Sequence, residues 1–148
     1  MRIFHLLNEG VMKIGLKHKR LRCECINNTA FLANDYDVII LSTGTIVGAC
    51  ELREAPIDLL PFTGNISYTI FEPYRGRGFA KEAVLNLCDL ARECNMHEIW
   101  ITCDKRNISS ISVCESVNAI KVDEVNVSCL PEFYKRNIDT ILRYKLLI

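Results

Sequence analysis

The sequence carries no net charge. Eighteen basic residues are balanced by eighteen acidic ones, so no global field draws the chain to nucleic acid or to an anionic membrane. It also lacks a continuous apolar stretch of signal-core or membrane-spanning length, because the opening MRIFHLLNEGVMKIGLKHKR is broken by charge. A soluble, cytoplasmic protein with no membrane or nucleic-acid partner is expected. Internal repeats, low-complexity tracts and linker-like runs are missing too, which excludes a solenoid or a string of modules. With 148 residues, 49% of them hydrophobic, residues 1–148 are expected to form one domain around one core. The histidines His5, His18 and His97 lie far apart with no ligand spacing, so no metal site is expected. Eight cysteines are present, but no CxxC pair has a matching partner pair, and Cys23 with Cys25 is the one close pair. Set mostly in apolar runs, they read as free thiols acting as small core hydrophobes in a reducing compartment.

Punctuation divides the chain. Arg2 to Leu7 reads as a short strand, and Glu9 to about Ile26 as helical, with Gly10 and Gly15 against it. Asp37 to Leu41 and Ile46 to Leu52 are β-rich runs around the turn-forming Ser42-Thr43-Gly44-Thr45, a hairpin signature. Ala55 to Gly64, with Pro56 and Pro61, reads as a loop, after which Asn65 to Phe71 resumes strand character and completes a three-stranded antiparallel meander. From Gly78 the period becomes helical: Ala80, Ala83, Val84, Leu87, Cys88, Leu90, Ala91 and Cys94 recur at helical spacing, with Asn95 as C-terminal cap. Glu98 to Cys103 is then a buried strand holding Trp100 in the core, and the intervening helix would let it run parallel to the strand before. Asn107 to Val117 reads as a second helix, and Ile120 to Val127 and Thr140 to Leu147 as strands.

The stretch FEPYRGRGFAKE, Phe71 to Glu82, asks for a chemical explanation. Glycines just ahead of a helix let a ligand approach the main chain, and the first-turn amides point outward unpaired. Two flanking arginines add charge-assisted donors, a combination suited to a pyrophosphate. The alternative is a tight strand-to-helix turn with solvated arginines.

In its order of elements the chain resembles the GNAT superfamily of acyl-CoA N-acyltransferases, over about Ile46 to Val127. The family's pyrophosphate motif, Q/R-x-x-G-x-G/A, is matched by Arg75, Gly76, Arg77, Gly78, Phe79 and Ala80. A second pattern, NxxS followed by ExxG, is matched at Asn107, Ser110 and Glu115, with Asn118 in place of the glycine. SYTIFEPYRGRGFAKE and ITCDKRNISS look most like bacterial acetyltransferases of the ribosomal-protein N-acetyltransferase type. The resemblance implies a GNAT-like α/β (α+β) fold, a mixed, mostly antiparallel sheet of about six or seven strands flanked by helices. It implies acetyl-CoA as cofactor. The pantetheine arm would pair with the main chain of Tyr68, Thr69 and Ile70. The amides of Arg75 through Ala80 would hold the pyrophosphate, with Asn107 and Ser110 on the other side. The strands bearing Ile70 and Thr102 would splay into a V-shaped cleft.

Acetyl transfer to an amine needs a neutral nitrogen, a polarised thioester and a proton source for the departing thiolate, with much of the acceleration available from proximity alone. The family often places a tyrosine acid four residues after the NxxS serine, and here Cys114 stands there. Its thiol is a candidate acid, and a helix-face thiol packed in the core is the alternative. Where related enzymes carry a glutamate base, this chain has Thr102, which leaves Glu51 as the candidate base and Asp104 as the other nearby carboxylate. Partial burial of Glu51 among apolar neighbours would raise its pKa, and a solvent-facing strand carboxylate is the alternative. Lys17 to Arg22 (KHKRLR) reads as a solvated helix face rather than an RNA patch. Tyr134 and Tyr144 are within reach of the acceptor side.

These readings converge on transfer of an acetyl group from acetyl-CoA to an amine acceptor, a small amine, an amino acid or a protein N-terminus, by direct attack in a ternary complex. A non-catalytic acyl-CoA-binding or sensor domain is the alternative. The N-terminal region is short for the family, which suggests an acceptor side that is open or completed by a second subunit in a homodimer.

Overall fold

Alternating polar and apolar side chains at the start of the chain settle into a long β-hairpin, not a helix. The structure, a computed structural model, describes residues 12–148, so the expected strand at Arg2 to Leu7 lies outside the described residues. β1 (Ile14–Ile26) and β2 (Thr29–Ile40) pair antiparallel along their whole length. Their turn is Asn27-Asn28, at φ 49° and 61°, and two consecutive left-handed residues match the twist of the flanking strands. The register aligns opposite charges: Arg20 and Arg22 both reach Asp35, and Lys19 reaches Asp37. Lys17 to Arg22 is therefore a largely exposed stretch of strand whose basic side chains meet carboxylates on β2. The helical expectation for Glu9 to Ile26 is corrected here, because cross-strand pairing outweighs the modest helix propensity of Lys, Arg and Leu beside Gly15.

β3 (Ile46–Glu54) and β4 (Ile66–Ile70) extend this hairpin into a four-stranded antiparallel sheet, β1-β2-β3-β4, one strand more than the expected meander. α1 (Phe79–Glu93) follows the loop and buries Phe79, Ala83, Val84, Leu87, Cys88 and Ala91. This stripe packs on the sheet face formed by Tyr36, Val38, Cys50, Leu52 and Ile66, and a fully buried leucine such as Leu87 contributes roughly 1.5–3 kcal/mol of hydrophobic stabilisation. Asn95 terminates α1 at φ 59°, with the Met96 amide donating back to the Ala91 carbonyl at 3.0 Å, the six-to-one bond of a Schellman ending.

β5 (Glu98–Asp104), β6 (Ile120–Asn126) and β7 (Thr140–Leu147) form a second antiparallel sheet, in the order β5-β7-β6. Between β5 and β6 lies α2 (Ile108–Ser116), and before β7 a single turn, α3 (Pro131–Tyr134). α2 ends as α1 does, with Asn118 at φ 61° and the Ala119 amide on the Cys114 carbonyl. Asparagine thus supplies the left-handed residue that the resembled pattern takes from glycine.

β4 and β5 do not pair among the described residues and fall in separate sheets. The two sheets are instead stitched together at one end, where the loop before β4 is clamped onto β5 and β7. The Asn65 amide donates to the Trp100 carbonyl and its Oδ1 accepts from the Trp100 amide, both at 2.8 Å. Gly64 bridges to Ile101, Thr102 Oγ1 donates to the Phe62 carbonyl at 3.0 Å, and Arg143 reaches the Pro61 carbonyl. Gly64 is forced by this contact, since a Cβ there would lie 2.5 Å from the Trp100 oxygen. Beyond Asn65 nothing of this kind continues among the described residues, and the sheets part.

Half of the cysteines fit the core reading. Cys50, Cys88, Cys103 and Cys114 are buried, whereas Cys23, Cys25, Cys94 and Cys129 are exposed. The difference is positional: Cys23 and Cys25 sit on the far half of the β1–β2 hairpin, Cys94 at the C-cap of α1 and Cys129 in the loop before α3. Trp100 is buried, with Nε1 donating to Glu98.

Candidate active site

Where the sheets part, a cleft of about 640 Å³ opens between the end of β4, the N-terminus of α1 and one face of α2. Its β4 wall is Tyr68, Thr69 and Ile70, its floor the loop Tyr74, Arg75, Gly76, Gly78 with Phe79 to Lys81, and its far wall Asn107, Ser109, Ser110, Ser112, Val113 and Ser116. Of the residues expected to hold a cofactor, all but Arg77 line this space. The Arg77 guanidinium turns aside and sits 5.9 Å from the centroid of the Tyr74 ring.

The loop has the conformation that its glycines permit. Gly76 and Gly78 lie at φ 77° and 79°, and Gly78 is the N-cap of α1 without a side-chain cap. A Cβ on either glycine would meet no protein atom within 4 Å, so the protein's own packing leaves the space over them open. No main-chain carbonyl among the described residues accepts from the amides of Gly76, Arg77 or Gly78, and the first-turn amides of α1 add to this set of free donors. Arg75 folds back so that its Nε donates to the Ile70 carbonyl at 2.8 Å, tying the loop to the strand that enters it.

Across the cleft, Asn107 caps α2 by accepting from the Ser110 amide at 3.1 Å, which satisfies one of the helix's orphan donors. Ser109, Ser112 and Ser116 follow on one face at helical spacing. These three escaped the sequence reading, although the run ISSISVCES carries the period that would have shown them. Tyr68 is a further feature of this wall. Its hydroxyl is buried and has no partner in good hydrogen-bond geometry. Burial pushes the phenol well above its ordinary range, and Ser110 and Cys114 lie beside it as its hydrogen-bonding neighbours.

The two candidates for acid and base stand elsewhere. Cys114 is fully buried in the core, and its thiol is held against Cys103. That contact and burial push its pKa far up, while Cys103, which accepts from it, is shifted down. Glu51 is paired across the strands with Ser67, the neighbour of Tyr68, and so belongs to the opposite sheet face. There it pairs with Arg22 and Arg53 and accepts from Ser67 Oγ at 3.1 Å. Neither residue lines the cleft. Asp104 is held below the usual carboxylate range by Arg106, and Thr102 spends its hydroxyl on the Phe62 carbonyl. Tyr144 is buried in the core, and Tyr134 is exposed on α3.

A family model described as an acetyltransferase (GNAT) domain matches residues 9–119. The chain belongs to the GNAT acetyltransferase family. The seven strands among the described residues, in two adjoining antiparallel sheets with α1 and α2 flanking the cleft, are the GNAT-like fold. No curated protein sequence matches the chain, but solved structures do. An acetyltransferase of the GNAT family from Bacillus anthracis superposes with a TM-score of 0.64 at 21% identity, covering 76% of this chain and 65% of that one. A Salmonella typhimurium acetyl transferase that modifies the N-terminal serine of 50S ribosomal subunit protein L7/L12 gives 0.63 at 18% identity, covering 78% and 64%. A ribosomal L7/L12 alpha-N-protein acetyltransferase in complex with coenzyme A gives 0.63 at 15% identity, covering 78% and 62%. This GNAT chain spans less than two thirds of the length of each of these structures, and at such identities the likeness is one of fold.

Proposed function

We propose that this domain transfers an acetyl group from acetyl-CoA to an amine by direct attack within a ternary complex. The observation that carries the reading is the loop Arg75 to Ala80, whose unpaired amides from Gly76 onward and uncovered glycines open onto the cleft, the Arg75 amide being spent on the Glu72 carbonyl. The space and its donors fit the cofactor. Amides of Gly76 to Ala80 would hold the pyrophosphate, the β4 main chain from Tyr68 to Ile70 the pantetheine arm, and Asn107 and Ser110 the opposite side. Bound there, acetyl-CoA supplies an activated acyl thioester. The chain's own part is to fix its orientation and to exclude water between β4 and α2, which lowers the barrier by positioning. A small amine, an amino acid and a protein N-terminus are the acceptor classes of this reading. The relatives that act on ribosomal proteins favour a protein N-terminus. A cytoplasmic setting belongs to the same reading. No helix among the described residues is long and apolar enough to cross a membrane.

Calorimetric titration with acetyl-CoA tests it, on wild type, on the double variant Gly76→Ala/Gly78→Ala and on Gly78→Asn. Because asparagine tolerates a positive φ far better than alanine, loss of binding in both variants points to obstruction of a ligand. Loss in the alanine variant alone points to strain in the loop. No binding by wild type overturns the reading. One observation favours a non-catalytic acyl-CoA sensor instead: both expected catalytic side chains, Cys114 and Glu51, are engaged away from the cleft. Binding of acetyl-CoA with no thiol release across a panel of amines would establish that alternative.

A further inference from the structure

In the second sheet β5 adjoins the seam, and β6 forms the opposite edge, with β7 on one side only. Among the described residues no main-chain bond reaches Ile120 to Asn126 from the other side. Such an open row of amides and carbonyls is a template for another strand. Little shields it: Ile120 is 64% exposed and Val122 46%, and β6 holds no proline. Its charges are arranged for one particular partner. Read backwards against itself about a point between Val122 and Asp123, IKVDEVN sets Lys121 opposite Glu124 and Ile120 opposite Val125, each pair occurring twice. The faces agree with this register. Lys121 and Glu124 lie across from Tyr144 and Leu142 and share one sheet face, whereas Ile120 and Val125, across from Lys145 and Ile141, share the other. Asp123 brings no unmatched charge to the centre, because Arg143 holds both its oxygens, at 2.7 and 2.6 Å. A bulge at Val122 shifts the β7 register between Lys121 and Asp123. It spoils the fit of a flat foreign strand, but a two-fold copy meets it with the same bulge.

We infer that a second copy of this chain docks on β6, pairing antiparallel about a two-fold axis between Val122 and Asp123, so that two three-stranded sheets become one of six strands. Within one chain Glu124 bonds Lys121 at 2.7 Å and Lys105 at 2.8 Å. In the pair it keeps Lys105 and meets the partner's Lys121 across the new ladder. Opposite charges and apolar pairs directly across from each other stabilise such a ladder, and like charges there weaken it. An interface built on one strand edge is small, so the association is reversible and concentration-dependent. β7 and β5 stand between β6 and the cleft, and each copy keeps a cleft of its own.

The test is sedimentation equilibrium of the full chain over a concentration series, on wild type, on Lys121→Glu and on Glu124→Lys, alone and mixed. The expected result is a dimer in wild type, dimerisation weakened roughly tenfold or more in each variant by itself, and return of the dimer when the two variants are mixed. In the mixture opposite charges face each other again at both pairs, a rescue that loss of the bond within one chain cannot produce. The double exchange Lys121→Glu/Glu124→Lys in one chain keeps the strand self-complementary and is expected to dimerise as wild type does. Wild type that stays monomeric at every soluble concentration overturns the inference. So does a dimer that neither variant weakens, which places the interface elsewhere. A mixture that stays monomeric, or a double exchange that dissociates, overturns it as well.

Discussion

Arg75 donates its Nε to the carbonyl of Ile70 at 2.8 Å, so the first residue of the glycine loop is anchored to the last residue of the strand that delivers the chain to it. A charged donor on a partly buried carbonyl is worth about 1.5–3 kcal/mol. Arg75→Ala removes this anchor, and the loop must then be ordered by the ligand. Acetyl-CoA affinity is expected to fall roughly tenfold, equivalent to about 1.4 kcal/mol, while kcat at saturation changes little. Calorimetry and saturation kinetics separate the two effects, and unchanged affinity would show that the anchor does not serve the loop.

Asn65 holds the sheets together. Its Nδ2 donates to the carbonyls of Arg53 and Ala55, at 3.1 and 2.7 Å, while its Oδ1 accepts from the Trp100 amide. It is 2% exposed, and Asn65→Leu strips three main-chain groups of their partners, two of them in buried bonds with no water to replace them. A loss of about 2–4 kcal/mol is expected in urea denaturation. A loss under about 0.5 kcal/mol, the range of ordinary surface substitutions, would mean that the seam is held by packing.

Much of this arrangement was legible in the sequence. The Gly76 and Gly78 loop, the face of α1 and the strand at Thr140–Leu147 follow from local period and turn chemistry, which neighbours in the chain determine. What escaped was set by partners distant in sequence. The β1–β2 hairpin depends on Arg20 and Arg22 meeting Asp35, and its Asn27-Asn28 turn lacks the glycine that usually announces one. Glu51 looked like an isolated carboxylate among apolar neighbours because Arg22 and Arg53, which neutralise it, lie on another strand and two residues along its own. Cys114 was visible as a departure from the family pattern, but its engagement with Cys103 follows from the packing of α2 on β5.

The cysteines divide sharply by reactivity. Burial pushes Cys50 up to about 12 and Cys88 up to about 11, and Cys114 is shifted further in the same direction. Because the thiolate is the reactive form, and because Cys103, which its contact with Cys114 shifts down, is shielded by burial instead, an aromatic disulfide reagent at pH 8 should modify the four exposed thiols, Cys23, Cys25, Cys94 and Cys129, and leave the four buried ones until denaturant is added. The same shifts fix the sign of the pH dependence. A raised folded-state value means that the stability these thiols contribute is whole below the ordinary thiol pKa. It is lost as pH climbs through about 11 for Cys88 and about 12 for Cys50. Rapid modification of all eight thiols in the native protein would contradict the packing.

The seam at Asn65 also decides how the molecule deforms. Each sheet resists shear along its strands, since sliding them would break ladder bonds one after another. Across the gap between the sheets, the main-chain bonds among the described residues connect only the end near Asn65 and Trp100. A load that spreads the far end bends side-chain contacts alone. The protein is therefore stiff within its sheets and compliant between them, like a clothes-peg with its spring at Asn65, its ease of opening increasing along β4 toward Ile70.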